Sequence, residues 1–376
     1  TQLPSTLIRG DTYYIADGSY GAYAFNTTVL GTSIITIKKA TVSDHGIETG
    51  WNNSYGDGTA FFAAFIITNA NCGYIYINGQ VDEGFRINGV VGSTRGVDIQ
   101  NNNYVNVSFV TIDGTQEHNL FRGFYLINSH NITIDHAKVQ NMPNDCIVTR
   151  VVSNLTVQYS KFDTVIPSDS GAHHDLIEMG DTNNGTFRYN ITSYAADQLH
   201  FGFGTSDGRW DIYGNIFTGA LGGGMVIKIN SNDLPAGPLY VYNNVFYNVY
   251  LVTNKYSSSQ VGYFSNNIFH NINKAAMGNY TFDTNYWGTF LDSYGKPSDP
   301  HGISGGDPFL AATNNDFHLK NDSTAINAGL NLGSLYSIDM DGHTRGADGL
   351  WDIGAYEYAS GTPCPTPIVS FTMNIL

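Results

Sequence analysis

Apolar and polar positions alternate along this chain in short runs, and between Asn128 and Trp287 one arrangement of them keeps returning. Ile134-Asp-His-Ala-Lys-Val is followed by Val157-Gln-Tyr-Ser-Lys-Phe, Phe187-Arg-Tyr-Asn-Ile-Thr, Ile212-Tyr-Gly-Asn-Ile-Phe, Val241-Tyr-Asn-Asn-Val-Phe, Phe264-Ser-Asn-Asn-Ile-Phe and Phe282-Asp-Thr-Asn-Tyr-Trp. The starts lie 23, 30, 25, 29, 23 and 18 residues apart, a slightly irregular period of solenoid length. Each unit is a run of β-formers, an Asn-rich turn and another run, and no stretch sustains the spacing of an amphipathic helix. A single unit cannot bury its own apolar face, so units must stack and share a core of Val, Ile, Leu and Phe. The pattern predicts an all-β parallel β-helix with one unit per coil. Asn at one place in successive coils would form an amide ladder, each side chain bonding to the next coil. The alternative is an antiparallel sandwich, but its hairpins want two-residue turns, and here whole units repeat.

Upstream of the array, residues 1–59 read as a cap and first strands, with Gly-Asp and Asp-Gly turns in Leu7-Ile-Arg-Gly-Asp-Thr-Tyr-Tyr-Ile-Ala-Asp-Gly-Ser-Tyr. An open solenoid end would expose strand edges and core, so a cap is physically required. This run resembles the N-terminal cap of secreted right-handed parallel β-helix proteins, many of them polysaccharide lyases. Coils are expected over 60–290, with strands at Tyr74-Ile-Tyr-Ile-Asn, Phe85-Arg-Ile-Asn, Val97-Asp-Ile-Gln, Val105-Asn-Val-Ser-Phe-Val-Thr-Ile-Asp and Phe124-Tyr-Leu-Ile-Asn. Residues 291–358 lose the period; Asp307-Pro-Phe, Asp316-Phe-His-Leu, Asp339-Met-Asp-Gly and Asp352-Ile-Gly-Ala-Tyr-Glu-Tyr resemble the closing segment of secreted bacterial and archaeal β-helix proteins. Residues 359–376 begin with a stiff Gly361-Thr-Pro-Cys-Pro-Thr-Pro linker. The following Ile368-Val-Ser-Phe-Thr-Met-Asn-Ile resembles the first strand of a polycystic-kidney-disease-type repeat, which implies further modules of the same chain beyond residue 376.

Composition narrows the partners. Of the 376 residues only 13% are charged, and the formal charge is -15, which argues against nucleic acid or an anionic membrane, since both are held by Lys and Arg. It also disfavours an acidic polysaccharide unless cations intervene. No apolar run is long enough to span a membrane. The chain starts at Thr1 without a signal-peptide pattern, so it is expected to be a mature secreted or cell-surface chain. Cys72 and Cys146 sit in apolar strands and read as buried thiols; Cys364 falls in the linker. Nine Asn-X-Ser/Thr triplets, among them Asn131, Asn154 and Asn190, are candidate glycan acceptors or simply the product of an Asn- and Thr-rich helix.

The reactive groups fall on aligned strands: Asp145-Cys-Ile-Val-Thr-Arg, Asp175-Leu-Ile-Glu-Met-Gly, Asp197-Gln-Leu-His-Phe-Gly and Gly224-Met-Val-Ile-Lys-Ile. Stacked residues lie about 4.8 Å apart, so Asp175 and Asp197 should bring their carboxylates together. Both stay ionised only with a cation between them; otherwise one pKa rises. Glu178 and His200 should share the next outward register, and Lys228 should stand one coil further along the same groove. Asp175, Glu178 and Asp197 suit Ca²⁺, which takes oxygen ligands in a flexible shell. His174 and His200, beside the carboxylates, are the candidate substrate-binding residues.

The arrangement is similar to a class of pectate lyases whose coils carry Ala-Asp-Gly-Phe, Asp-Asp-Gly-Phe-Asp and Gly-Phe-Lys in turn. The matching positions are Asp175, Asp197 and Lys228; the departures are Ala196 in the Asp-Asp pair, His200 for the third Asp, and Val226-Ile227 before the Lys. The resemblance implies Ca²⁺ on the Asp cluster, Lys228 as base, and β-elimination on a uronate polysaccharide. Arg209, in Thr205-Ser-Asp-Gly-Arg-Trp, is a candidate to hold a carboxylate bidentately. Two other readings stay open: a metal-independent glycoside hydrolase using Asp175, Glu178 and Asp197, and a non-catalytic extracellular stalk.

Overall fold

The structure, a computed structural model, describes residues 3–45, 47–89, 94–114, 120–165, 175–193, 195–203, 208–229, 237–253, 261–276, 280–291 and 296–358. His174, Cys364 and the linker-plus-strand tail of the sequence reading lie outside the described residues. The described strands form an 18-stranded and a 12-stranded parallel sheet and one two-stranded antiparallel pair. The larger sheet turns a corner. Arg122–Asp135, Ile147–Gln158 and Asp175–Arg188 each cross it, pairing with one set of neighbours before the corner and another after it. Each coil therefore has three sides, and the chain is a parallel β-helix.

In chain order the first ladder runs from Thr12–Ile15 to Thr281–Asp283, the second from Gly18–Tyr20 to Ile303–Ser304, and the third from Tyr23–Ala24 to Lys274–Ala276. All three aim their apolar side chains at one interior. Within it Phe187, Phe217, Phe246, Phe269 and Trp287 stack in succession, with ring centroids 6.1, 5.1, 5.0 and 4.6 Å apart. Cys72 and Cys146 are buried free thiols in this core, as their apolar contexts predict.

The corner between the first and second ladders sets the register of the later coils. Asn190, Asn215, Asn244, Asn267 and Asn285 stack there, wholly buried. Each of the first four donates an Nδ2 proton to the next Oδ1, at 3.1, 2.9, 3.0 and 3.0 Å. The backbone N–H of each also donates to that same oxygen, at 2.9, 2.9, 3.0 and 3.0 Å. The second Nδ2 proton goes to a carbonyl of the strand behind, such as Ile212 O for Asn244 at 2.8 Å. Every polar atom of the stack is thereby satisfied, as burial demands. Asp299 closes the series, accepting from Asn285 Nδ2 at 2.9 Å, Asn285 N at 3.1 Å, Thr284 N at 2.9 Å and Trp287 Nε1 at 2.9 Å. Asn190, one of the glycosylation triplets, is a buried rung and no glycan acceptor in the folded chain.

The residue before each rung turns the chain in the left-handed region: Tyr189 (φ 57°), Gly214 (64°), Asn243 (54°), Asn266 (56°) and Thr284 (59°). Earlier coils put Phe109, His136 and Tyr159 at this position, also at positive φ. Their rings and that of Tyr189 stack in sequence, with centroids 4.5, 5.1 and 4.9 Å apart, and ring contact offsets part of the backbone cost.

Past the last coil the chain runs back along the flank. Phe309–Ala311 and Asp316–Leu319 make the antiparallel pair, and Phe309, Phe317, Leu319 and Ile353 pack on Ile216, Val245 and Ile268 of the second ladder. Further contacts tie this segment to the corner: Leu330 N donates to Asn266 Oδ1 at 2.9 Å, and Tyr189 OH to Ile338 O at 2.9 Å. Among the described residues no helix is long and apolar enough to cross a membrane.

Replacing a middle rung tests the ladder. Asn244→Leu takes away the acceptor of two buried donors on Asn215, its backbone N–H and its Nδ2. At about 1–3 kcal/mol for each buried orphan, the variant is expected to lose at least about 2 kcal/mol in urea unfolding; a loss under about 1 kcal/mol would show that the rungs do not hold the coils.

Candidate active site

The reactive groups lie on the third ladder. Its strands enter with a bend: Cys146 and Ile147, Leu176 and Ile177, and Val226 and Ile227 are consecutive pairs that all belong to the core. Strict alternation is broken there, so the positions turned away from the core are three apart, Asp175 with Glu178, Asp197 with His200, and Met225 with Lys228. The pairing is in register: Asp175 opposite Asp197, Glu178 opposite His200, and Asp197 and His200 opposite Met225 and Lys228. Two irregularities flank the cluster, one at Met179/Gly180 and one at Ala195/Asp197, the second taking up extra residues before Gly224. Bulges are concentrated beside functional sites because they re-aim side chains. Gly224 is required by the approach it makes: an added Cβ would lie 1.4 Å from Ala196 O.

Within this register the charges pair off. Lys228 Nζ donates to Asp197 Oδ2 at 2.6 Å, and Met225 N donates to the other oxygen at 3.0 Å. His200 Nδ1 donates to Asp175 Oδ2 at 2.6 Å. Asp175 Oδ1 is buried and has no hydrogen-bond partner among the described residues. The conflict between stacked carboxylates is met in two ways: Asp197 is paired with a lysine, while burial pushes the Asp175 carboxyl above its ordinary range, against the pull of His200.

One coil back a second group forms around Asp145. Its Oδ1 accepts weakly from Asp175 N at 3.4 Å, and Arg122 Nε stands 3.5 Å from Oδ2. Arg150 pairs with Glu178. Burial raises the Asp145 carboxyl to about 8, helped by the nearby charges of Glu178 and Asp175 and opposed by Arg122. Two sets of three groups could each close on a cation: Asp175, Asp197 and His200, and Asp145, Asp175 and Glu178.

The sequence reading is therefore only partly reproduced. Asp175, Asp197 and Lys228 come together as the register predicts. Glu178 joins Asp145 and Asp175, not Asp197, because its carboxylate turns back to Arg150. His200 was expected against substrate, yet its side chain is wholly buried and faces Asp175. Arg209 is elsewhere: it precedes Trp210, which pairs with Gly185 on the first ladder, around the corner from the carboxylates. Its Nε and Nη2 donate to Asp211 at 2.8 and 2.7 Å, and Nη2 also lies 2.6 Å from Tyr336 OH. Asp145, Arg122 and Arg150 are the members the sequence reading left out. Asp145 and Arg150 did carry a signal, since both stand in the strand aligned with that of Asp175.

No family model and no curated protein sequence matches the chain significantly. Among solved structures the chain is similar to pectate lyase Pel9A, with 15% identity and a TM-score of 0.47 over 94% of this chain and 90% of that one. It is also similar to an endo-xylogalacturonan hydrolase from Aspergillus tubingensis, with 12% identity and a TM-score of 0.35 over 78% and 91%. A third likeness is to the family 28 exopolygalacturonase of Yersinia enterocolitica, with 11% identity and a TM-score of 0.32 over 81% and 73%. At these values the likeness concerns the path of the chain and assigns no activity.

The Asp145 carboxyl gives a pH signature. Its ordinary value is 3.8 and its folded value about 8, so between those limits the folded state keeps a proton that the unfolded chain has released. Stability should then fall as pH rises from about 4 to about 8, and level off above. In EDTA, Asp145→Asn is expected to flatten that decline, read as urea midpoints at pH 5 and pH 8; an unchanged difference between the two would place the proton elsewhere.

Proposed function

We propose that this protein is an extracellular enzyme that cleaves a uronate-containing polysaccharide by β-elimination, with Asp175 and Asp197 as the core of a Ca²⁺ site and Lys228 as the base. The observation that carries this reading is the juxtaposition across one ladder spacing of Asp175, with a buried oxygen that has no hydrogen-bond partner among the described residues, and Asp197, with Lys228 Nζ 2.6 Å away. Carboxylate oxygens suit a hard cation, and Glu178 stands within reach through the ligand group it shares with Asp175. A bound Ca²⁺ supplies neutralisation of the sugar carboxylate and of the charge that develops on it during elimination.

The chain's own residues do the rest. Asp197 holds the lysine amine at the outer end of the cluster and fixes its direction. To act as base, Lys228 must present a free lone pair on Nζ to the C5 proton. In the reaction the C5 proton passes to Nζ, the C5–H electron pair becomes the C4–C5 double bond, and the C4–O bond breaks with its electron pair staying on the leaving oxygen, which takes up a proton from solvent water. His200 is a positioning residue: wholly buried, it fixes the Asp175 carboxylate from behind. Gly202 leaves room for its ring, since a Cβ there would lie 2.8 Å from Nε2.

The test is the ultraviolet absorbance of unsaturated uronates on pectate, alginate, glucuronan and glycosaminoglycans, with Ca²⁺ or EDTA. A calcium-dependent rise is expected on at least one polymer, falling by about 10²–10⁴-fold in Lys228→Ala, the range for loss of a general base. No rise on any polymer, an undiminished rise in the variant, or metal-independent release of reducing sugar without a double bond would overturn the reading.

A further inference from the structure

A second feature lies on another side of the coil and takes no part in the chemistry above. On the outer face of the first ladder a cleft of about 540 Å³ crosses five successive strand segments, from Thr32 and Ile34 to Asn154 and Thr156. It runs along the solenoid axis, so its length is about four spacings of 4.8 Å. Its floor is a column of outward residues in register: Tyr76, Asn106, Thr133 and Thr156. Their neighbours in sequence, among them Val105, Val107, Ile132, Ile134, Leu155 and Val157, point into the core.

One wall is a corner column. Tyr74, Tyr104, Asn131 and Asn154 occupy the same place in successive coils, all in the left-handed region, at φ 55°, 57°, 57° and 55°. Asn accepts that conformation readily; a bulky aromatic residue does not. Two coils nevertheless carry Tyr, and the two rings stack with centroids 4.6 Å apart and planes at 21°. Tyr104 remains 48% exposed. A residue held against its backbone preference while about half of its surface faces solvent points to a role for the side chain itself.

None of the lining residues is charged. In a chain of net charge -15 an uncharged cleft offers a polyanion nothing to bind and a repulsive field around it. It offers a neutral sugar chain a flat aromatic face for the apolar side of a pyranose ring, followed by amides and hydroxyls repeating at about 4.8 Å, close to the advance per residue of an extended glycan. We propose that this cleft binds an extended, uncharged oligosaccharide segment, independently of the acidic cluster and of calcium. The site would dock the protein on a neutral glycan while the third ladder presents the carboxylates on a different side.

The test uses titration calorimetry with cellohexaose, xylohexaose and mannohexaose, and with hexagalacturonate as the charged control. At least one neutral hexasaccharide is expected to bind the wild type equally in Ca²⁺ and in EDTA. Tyr104→Asn should weaken it by about tenfold or more, while its thermal midpoint stays level or rises, because Asn suits the left-handed corner. Lys228→Ala should bind the neutral sugar as the wild type does. Absence of binding by all three neutral sugars, equal affinity in Tyr104→Asn, or loss of affinity in Lys228→Ala would each overturn the proposal. Because these outcomes need no lyase activity, they separate it from the reading of the acidic cluster.

Discussion

A solenoid keeps its register only if something prevents one coil from sliding over the next, and here that constraint is the buried amide stack at one corner. Apolar packing alone tolerates slippage, since one Val or Ile resembles another. An amide does not, because a rung displaced by one residue leaves donors and acceptors facing carbon in a dry interior. The later coils are thus pinned at Asn190, Asn215, Asn244, Asn267 and Asn285, and the sides of those coils inherit that alignment. Asp175 and Asp197 oppose one another because the chain returns to the same corner once per turn.

Strain is distributed by the same repetition. The corners need left-handed residues in nearly every coil, and the chain supplies them mostly with Asn, Gly or aromatic residues, with Val151, Asp181 and Thr284 as exceptions. Where Asn or Gly stands, the conformation costs little. Where Phe109, His136, Tyr159 or Tyr189 stands, a ring column forms along the corner. The corner column of Tyr74 and Tyr104 differs in staying open to solvent.

Much of this was legible in the sequence, for a physical reason. Period, turn residues and strand register are local or nearest-neighbour properties, so the recurrence of Val-Tyr-Asn-Asn-Val-Phe and its relatives carries the coil, the amide stack and the facing of Asp175 with Asp197. The fate of each charge is not local. Whether Glu178 turns toward Asp197 or back toward Arg150 depends on side chains one coil away. Whether His200 meets solvent depends on what closes over the strand. Nor does the sequence show that a corner separates Arg209 from Asp197: a three-sided coil puts residues about a dozen positions apart on different faces.

The end of the amide stack carries its own consequence. Each rung gives protons in one direction, toward the C-terminal coils, so the stack has a polarity like that of a chain with distinguishable ends. At its start Ser160 N, a donor, meets Asn190 Oδ1 at 2.9 Å. At its finish stands Asp299, whose carboxylate oxygens accept from four donors and hand no amide proton on. Such a series can be lengthened by copying a rung in its interior, since every new amide finds the same neighbours. It cannot be extended past the carboxylate, where the next acceptor would meet oxygen instead of a donor. The chemistry of one side chain thereby acts as a stop signal, and the length of the amide stack is written into the molecule as a choice between amide and acid.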